Sequence, residues 1–174
     1  MSRFPAAALP ITYVALRVLI VLNWLFGGAV LTLLIASFTA EHWTMTALGV
    51  PPSPETQPLI MGMRAIMVLG LAAIPLNLVV LRRLVAMVET VRAGNPFVAA
   101  NAYRLQTIAW VLLALQVLSL VIGLVGRAVS TPAHPLHLET GFSISGWLAV
   151  ILTFVLARVF AEGTLMREDL EGTV

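Results

Sequence analysis

Four stretches of this chain are long and apolar enough to cross a lipid bilayer, and nothing else constrains the fold as strongly. A spanning helix needs about 20 predominantly apolar residues, each advancing about 1.5 Å, to cross a hydrocarbon core about 30 Å thick. The first stretch falls at about 15–38 and carries no charge from Val18 to Phe38. The second, about 59–81, is broken once by Arg64. The third covers 105–126, and the fourth covers 142–160 with Arg158 near its end. The first run exceeds the roughly 7–15 residues of a signal-peptide core, so it is expected to stay as a span. Runs of this length in a bilayer read as helices, which satisfy their own backbone polar groups. The expected fold is all-α: an integral membrane, antiparallel four-helix bundle forming a single membrane domain over 1–174. Composition agrees. Only 10% of residues are charged and 60% are hydrophobic, too little polar surface for a soluble globule and too little charge for disorder.

The few charges are segregated. All ten basic residues are arginine. Arg3 and Arg17 flank the first span, Arg82, Arg83, Arg92 and Arg104 lie between spans two and three, and Arg158 and Arg167 follow span four. The two opposite connections contribute only Arg127. Arginine is retained on the cytoplasmic side of a membrane. Both termini and the middle connection are therefore expected to be cytoplasmic. Trp43 and Trp147 then fall near the outer boundary, and Tyr13, Tyr103, Trp110 and Phe160 near the inner one, where aromatic rings favour the headgroup level. The net charge of +2 is too small for direct nucleic-acid binding. Absence of cysteine excludes disulfides, thiolate metal sites and cysteine nucleophiles.

The connections differ in kind. In the first outer one, Glu41 to Gln57, the run Val50-Pro51-Pro52-Ser53-Pro54 is expected to be extended, because proline fixes φ and lacks an amide donor. The second, Arg127 to Thr140, has Pro132 and Pro135 and is expected to be irregular. On the inner side, Leu84, Val85, Val88 and Val91 keep helical spacing to Arg92, and Ala93-Gly94 should stop that helix. Asn95 is expected to cap the next helix with Pro96 in its first turn, placing Phe97, Asn101 and Arg104 on successive turns. These features predict a cytoplasmic helical hairpin over 82–104 that projects about 16 Å. A tail over 161–174 should extend the fourth helix.

No Asp, Glu or His lies within the spans, which speaks against proton-coupled transport. The intramembrane polar residues are Asn23, Arg64, Asn77 and Gln116. Arg64 is expected to snorkel outward or to pair with Glu41 or Glu55, and the amides to bond between helices. Pro75 should kink the second span. His134, His137 and Glu139 have metal-ligand spacing, but Pro135 lies between the histidines, and no metal site is expected. No catalytic set or phosphate-binding loop is visible, so neither an enzyme nor a cofactor is expected. The hairpin arginines face a tail bearing Glu162, Arg167, Glu168, Asp169 and Glu171. From composition alone they pair with one another, bind anionic lipid heads, or dock a partner by complementary charge.

Two segments carry a family resemblance. One is Arg92-Ala-Gly-Asn-Pro-Phe-Val-Ala-Ala-Asn101-Ala-Tyr-Arg104-Leu-Gln-Thr-Ile-Ala-Trp110; the other runs from Gly146-Trp-Leu-Ala through Arg158-Val-Phe160-Ala-Glu-Gly163 to Val174. Together they resemble the bacterial membrane family catalogued as domain of unknown function 2975. The resemblance implies a four-helix protein of the bacterial inner membrane with no established activity. Members are often encoded beside a small helix-turn-helix regulator of the Cro/repressor type. It therefore points to a membrane-bound regulator that docks such a partner through Arg92, Asn95, Pro96, Phe97, Asn101 and Arg104 of the hairpin and Arg158, Glu168, Asp169 and Glu171 of the tail. Rival readings are a small-solute channel or transporter made by a homo-oligomer, which would use Asn23, Arg64, Asn77 and Gln116, and a structural or assembly subunit of a larger complex.

Overall fold

The computed structural model describes residues 8–131 and 142–171, with side chains placed over 9–131 and 142–166. The fold is all-α. Helix α1 spans Ala8–Thr39, α2 Glu41–Ala47, α3 Gln57–Arg92, α4 Ala99–Val129 and α5 Ile144–Glu171. Four of these, all but α2, are long and apolar enough to cross a membrane. The longest, α3 with 36 residues, extends about 54 Å, well beyond a 30 Å hydrocarbon core. It ends at Arg92, where the apolar spacing stops.

Two helix ends show why the chain turns where it does. At the end of α3 the Asn95 amide donates to the Thr90 carbonyl (3.0 Å) and the Gly94 amide to that of Val91 (3.1 Å). Gly94 has φ +81°. These bonds form a Schellman motif, which uses left-handed backbone that glycine alone adopts without strain. Helix α2 ends in the same way: Val50 N–H donates to Met45 (2.8 Å), Gly49 N–H to Thr46 (3.0 Å), and Gly49 has φ +80°. Val50 and Met45 are both buried in one cluster, the apolar contact that usually accompanies this motif.

The structure adds one element and changes one expectation. The first outer connection begins with a helix, α2, that forms before its prolines; Thr44 Oγ1 donates to the Ala36 carbonyl (3.1 Å) and folds α2 back onto the end of α1. Asn95 does not cap α4. Its amide is committed to closing α3, and α4 starts at Ala99, so Phe97 lies in the connection rather than on a helical turn. The run Val50–Pro54 is non-helical, as its prolines require. Buried Thr56 accepts from the Ser53 amide (2.8 Å), donates to the Pro51 carbonyl (2.8 Å), and holds this run at the start of α3.

The described chain groups into two compact units. One comprises Met1–Leu22, Leu76–Ala114 and Ile144–Val174; the other comprises Asn23–Pro75 and Leu115–Ser143. The first is centred on buried Leu16, Val85, Leu105, Ile108, Ala109, Val150 and Ala157. In the second, Met45, Val50, Leu59 and Ile60 pack with Met63 and Val129. Here α1 and α3 meet closely: a Cβ on Gly27 would lie 3.1 Å from Ile74. One turn earlier, Asn23 Nδ2 donates to the Ile74 carbonyl (3.1 Å), beside Pro75. Such an interhelical bond contributes about 0.6–2 kcal/mol.

Candidate functional site

The hairpin between α3 and α4 is organised by one buried side chain. Asn101 has no solvent-exposed surface. Its Nδ2 donates to Thr90 Oγ1 and to the Pro96 carbonyl, each at 2.8 Å. Its Oδ1 accepts from Arg104 Nη1 at 2.8 Å. Arg104 also donates to the Ala86 carbonyl (3.3 Å), and Thr90 to the Met87 carbonyl (2.7 Å). Asn101 thus joins the last turn of α3, the connection and the first turn of α4. A buried network satisfied in this way rigidifies the backbone around it.

Phe97 fixes the other side of the connection. Its ring centroid lies 5.4 Å from that of Phe160 on α5. A Cβ on Gly163 would approach the Phe97 ring to 3.2 Å, so the glycine makes room for the aromatic pair. Aromatic pairs at this separation contribute about 0.5–1.5 kcal/mol beyond burial. Tyr13 ties α1 to the same region. Arg17 donates to its hydroxyl through Nη2 (2.8 Å) and Nε (3.2 Å), and the Arg92 guanidinium lies 5.4 Å from its ring centroid.

These contacts separate residues that the sequence grouped together. Asn101 is fully buried beneath the turn. Arg104 is half-buried and engaged on Asn101 and Ala86, and Pro96 offers its carbonyl to Asn101. Arg92 and Asn95 are exposed at the tip. Arg158 is exposed and pairs with Glu162 one turn on (2.8 Å). The side chains of Glu168, Asp169 and Glu171 lie outside the described residues, as do His134, His137 and Glu139.

A second charged cluster lies in the other unit. Arg64 Nη2 donates to Glu41 Oε2 (2.8 Å) and to the Ser37 carbonyl, and Nε donates to Ser37 Oγ (3.3 Å). Its guanidinium lies 4.2 Å from the Phe38 ring centroid. Arg64 therefore pairs with Glu41, one of the two acids its position suggested. Of the intramembrane amides, Asn23 bonds as described, whereas Asn77 has no hydrogen-bond partner among the described residues. Gln116 Oε1 is buried without one.

Several contributors went unread in the sequence. Thr90 sits eleven positions before Asn101, a spacing set by the turn and not by any helical period. Ser37 and Phe38 serve Arg64 through tertiary contact, with no local signal. Gly163 was visible only as a glycine inside a helical run.

The family model described as "Protein of unknown function (DUF2975)" matches residues 12–174. The chain belongs to that family. The match takes in the hairpin, the aromatic pair and the Arg64 cluster of this DUF2975 protein, and its description assigns no activity. No curated protein and no solved structure matches the chain.

Proposed function

We propose that this DUF2975 protein is a non-enzymatic, multi-pass protein of the bacterial inner membrane, with both termini and the hairpin in the cytoplasm. On this reading it regulates by docking a small cytosolic partner of the Cro/repressor helix-turn-helix type. The supporting observation is the preorganised tip. Residues 93–95 are exposed, yet their backbone is closed by a Schellman motif and backed by buried Asn101. A surface already ordered loses little conformational entropy on binding. The orientation is supported by how arginines divide between the units. Arg17, Arg82, Arg83, Arg92, Arg104 and Arg158 fall in one, whereas only Arg64 and Arg127 among the described residues fall in the other. Asn23 and Arg64 are both engaged within the protein, which leaves the channel reading only Asn77 and Gln116 among its polar candidates.

The docking surface is then Arg92, Asn95 and Arg158, with Phe97, Pro96, Asn101 and Arg104 shaping it and Glu168, Asp169 and Glu171 contributing from the tail. The test is co-purification in mild detergent with the helix-turn-helix protein encoded beside the gene. Capture by the full chain, with loss on Arg92→Glu and on truncation at Ala161, is the expected result. Equal capture by all three, or capture by none, overturns it.

A further inference from the structure

Two grooves flank one ridge of α4 in the unit that contains the hairpin. The first, about 290 Å³, lies between α4 and α5; Ala102, Tyr103 and Gln106 form one wall, and Phe154, Ala157 and Arg158 the other. The second, about 410 Å³, lies between α3 and α4 and shares Tyr103 and Gln106. It continues past Leu76 and Trp110 to Ala114. From Tyr103 to Ala114 is 11 residues, about 16 Å of helix, close to the depth of one leaflet's hydrocarbon. Below the shared ridge the second groove is lined by Leu76, Trp110, Val111 and Ala114, with Thr107 its one polar residue there.

Two arginines are placed near Tyr103 of the ridge. Arg158 lines the first groove. The Arg83 guanidinium lies 5.9 Å from the Tyr103 ring centroid. Glu162 holds Arg158 through Nε alone, leaving both Nη groups of Arg158 as donors. Arg83 has no hydrogen-bond acceptor among the described residues. Arg158, Tyr103 and Gln106 thus line two largely apolar grooves, with Arg83 beside Tyr103. Arginine presents paired N–H donors suited to phosphate oxygens.

We infer that this ridge seats one anionic two-chain phospholipid, its phosphate between Arg83 and Arg158 and an acyl chain in each groove. The inference shares Arg158 with the proposed docking surface, but Arg83, Tyr103 and the grooves lie outside it, so Arg83→Gln and Ala102→Leu test the lipid seat apart from docking. A phospholipid matches both features at once. A soluble phosphate would leave the apolar grooves without an occupant, and a neutral lipid would leave the arginines without an anion.

The test is native mass spectrometry of protein extracted from nanodiscs of equal phosphatidylglycerol and phosphatidylcholine, counting retained lipid. The wild-type protein is expected to retain one phosphatidylglycerol in preference to phosphatidylcholine. An arginine near an anionic membrane surface contributes enough that Arg83→Gln or Arg158→Gln should each lower retention about fivefold. Arg83→Lys, which keeps the charge but not the paired donors, should restore part of it, and Arg127→Gln should leave it unchanged. Ala102→Leu, which narrows one groove without changing charge, should also lower it. Equal retention of the two lipids by the wild type overturns the proposal. So does a Lys variant that behaves like Gln, an Ala102→Leu variant that retains lipid fully, or displacement of the lipid by excess glycerol 3-phosphate.

Discussion

Replacing Asn101 with alanine removes the side chain that joins three backbone segments, and the structure indicates how large the effect should be. The Pro96 carbonyl and Thr90 hydroxyl lose neutral bonds at 2.8 Å, and Arg104 loses a charge-assisted one at 2.8 Å. Neutral bonds contribute about 0.5–1.5 kcal/mol each and bonds to charged groups about 1.5–3 kcal/mol. Part is recovered: Thr90 keeps Met87 (2.7 Å), Arg104 keeps Ala86 (3.3 Å), and Pro96 is near enough to the surface to be hydrated. A net loss of about 2–3 kcal/mol in the stability of the hairpin remains. Because the loss is local, hydrogen exchange is the right assay. The amides of Ala93, Gly94 and Asn95, bonded to Glu89, Val91 and Thr90, should exchange about 30- to 150-fold faster in detergent micelles. Thr90→Val leaves the Pro96 and Arg104 bonds in place and should accelerate them only about fivefold. If the two variants have equal effects, or if the turn amides do not respond to Asn101→Ala, Asn101 is not the organising residue.

Further predictions follow from individual contacts. Glu41→Gln leaves the Arg64 charge, only 14% exposed, without its anion. It should cost about 1–2 kcal/mol, since Glu41 is partly solvated and Ser37 and Phe38 remain. In a double-mutant cycle with Arg64→Leu, the coupling read by thermal unfolding should be positive; additivity would refute the pairing. Gly62→Ala should destabilise by about 1–3 kcal/mol, because its Cβ would come within 2.9 Å of Val129 carbons. Gly70→Ala, which meets nothing within 4 Å, should stabilise by about 0.5–1 kcal/mol. Phe97→Ala should lower the melting temperature by the equivalent of about 1–3 kcal/mol, the range being low for an aromatic truncation because the ring is 44% exposed. Phe160→Ala should have a similar effect, and the double variant should fall short of the sum.

The long helices were legible because a bilayer imposes a length requirement that a run such as Val18–Phe38 meets with no competing interpretation. The end of α3 at Arg92 was legible because Gly94 marks the reversal. Helix α2 was missed because seven residues are too few to show a period, and the prolines that follow dominate the segment. Asn95 was misassigned because asparagine before proline suits a helix start. The same asparagine amide can equally close the preceding helix, and tertiary structure chose between the two. Asn101 was legible as a polar residue of the hairpin, but its burial was not. Its burial depends on Thr90 and the Pro96 carbonyl converging on it, which one-dimensional spacing does not encode.

The Arg64 cluster bears on how the chain enters its membrane. A charged side chain inside a span is costly, and α3 carries one at Arg64. A lone arginine near the middle of a span opposes insertion by about 2.5–3.5 kcal/mol, and less towards an end. Its compensating groups, Ser37, Phe38 and Glu41, all precede it in the chain. They leave the ribosome before α3 does, so the run that carries Arg64 follows the segment that supplies its partners. Exchanging the order of α1 and α3 by circular permutation would preserve the contacts of the finished protein and remove that advantage during synthesis.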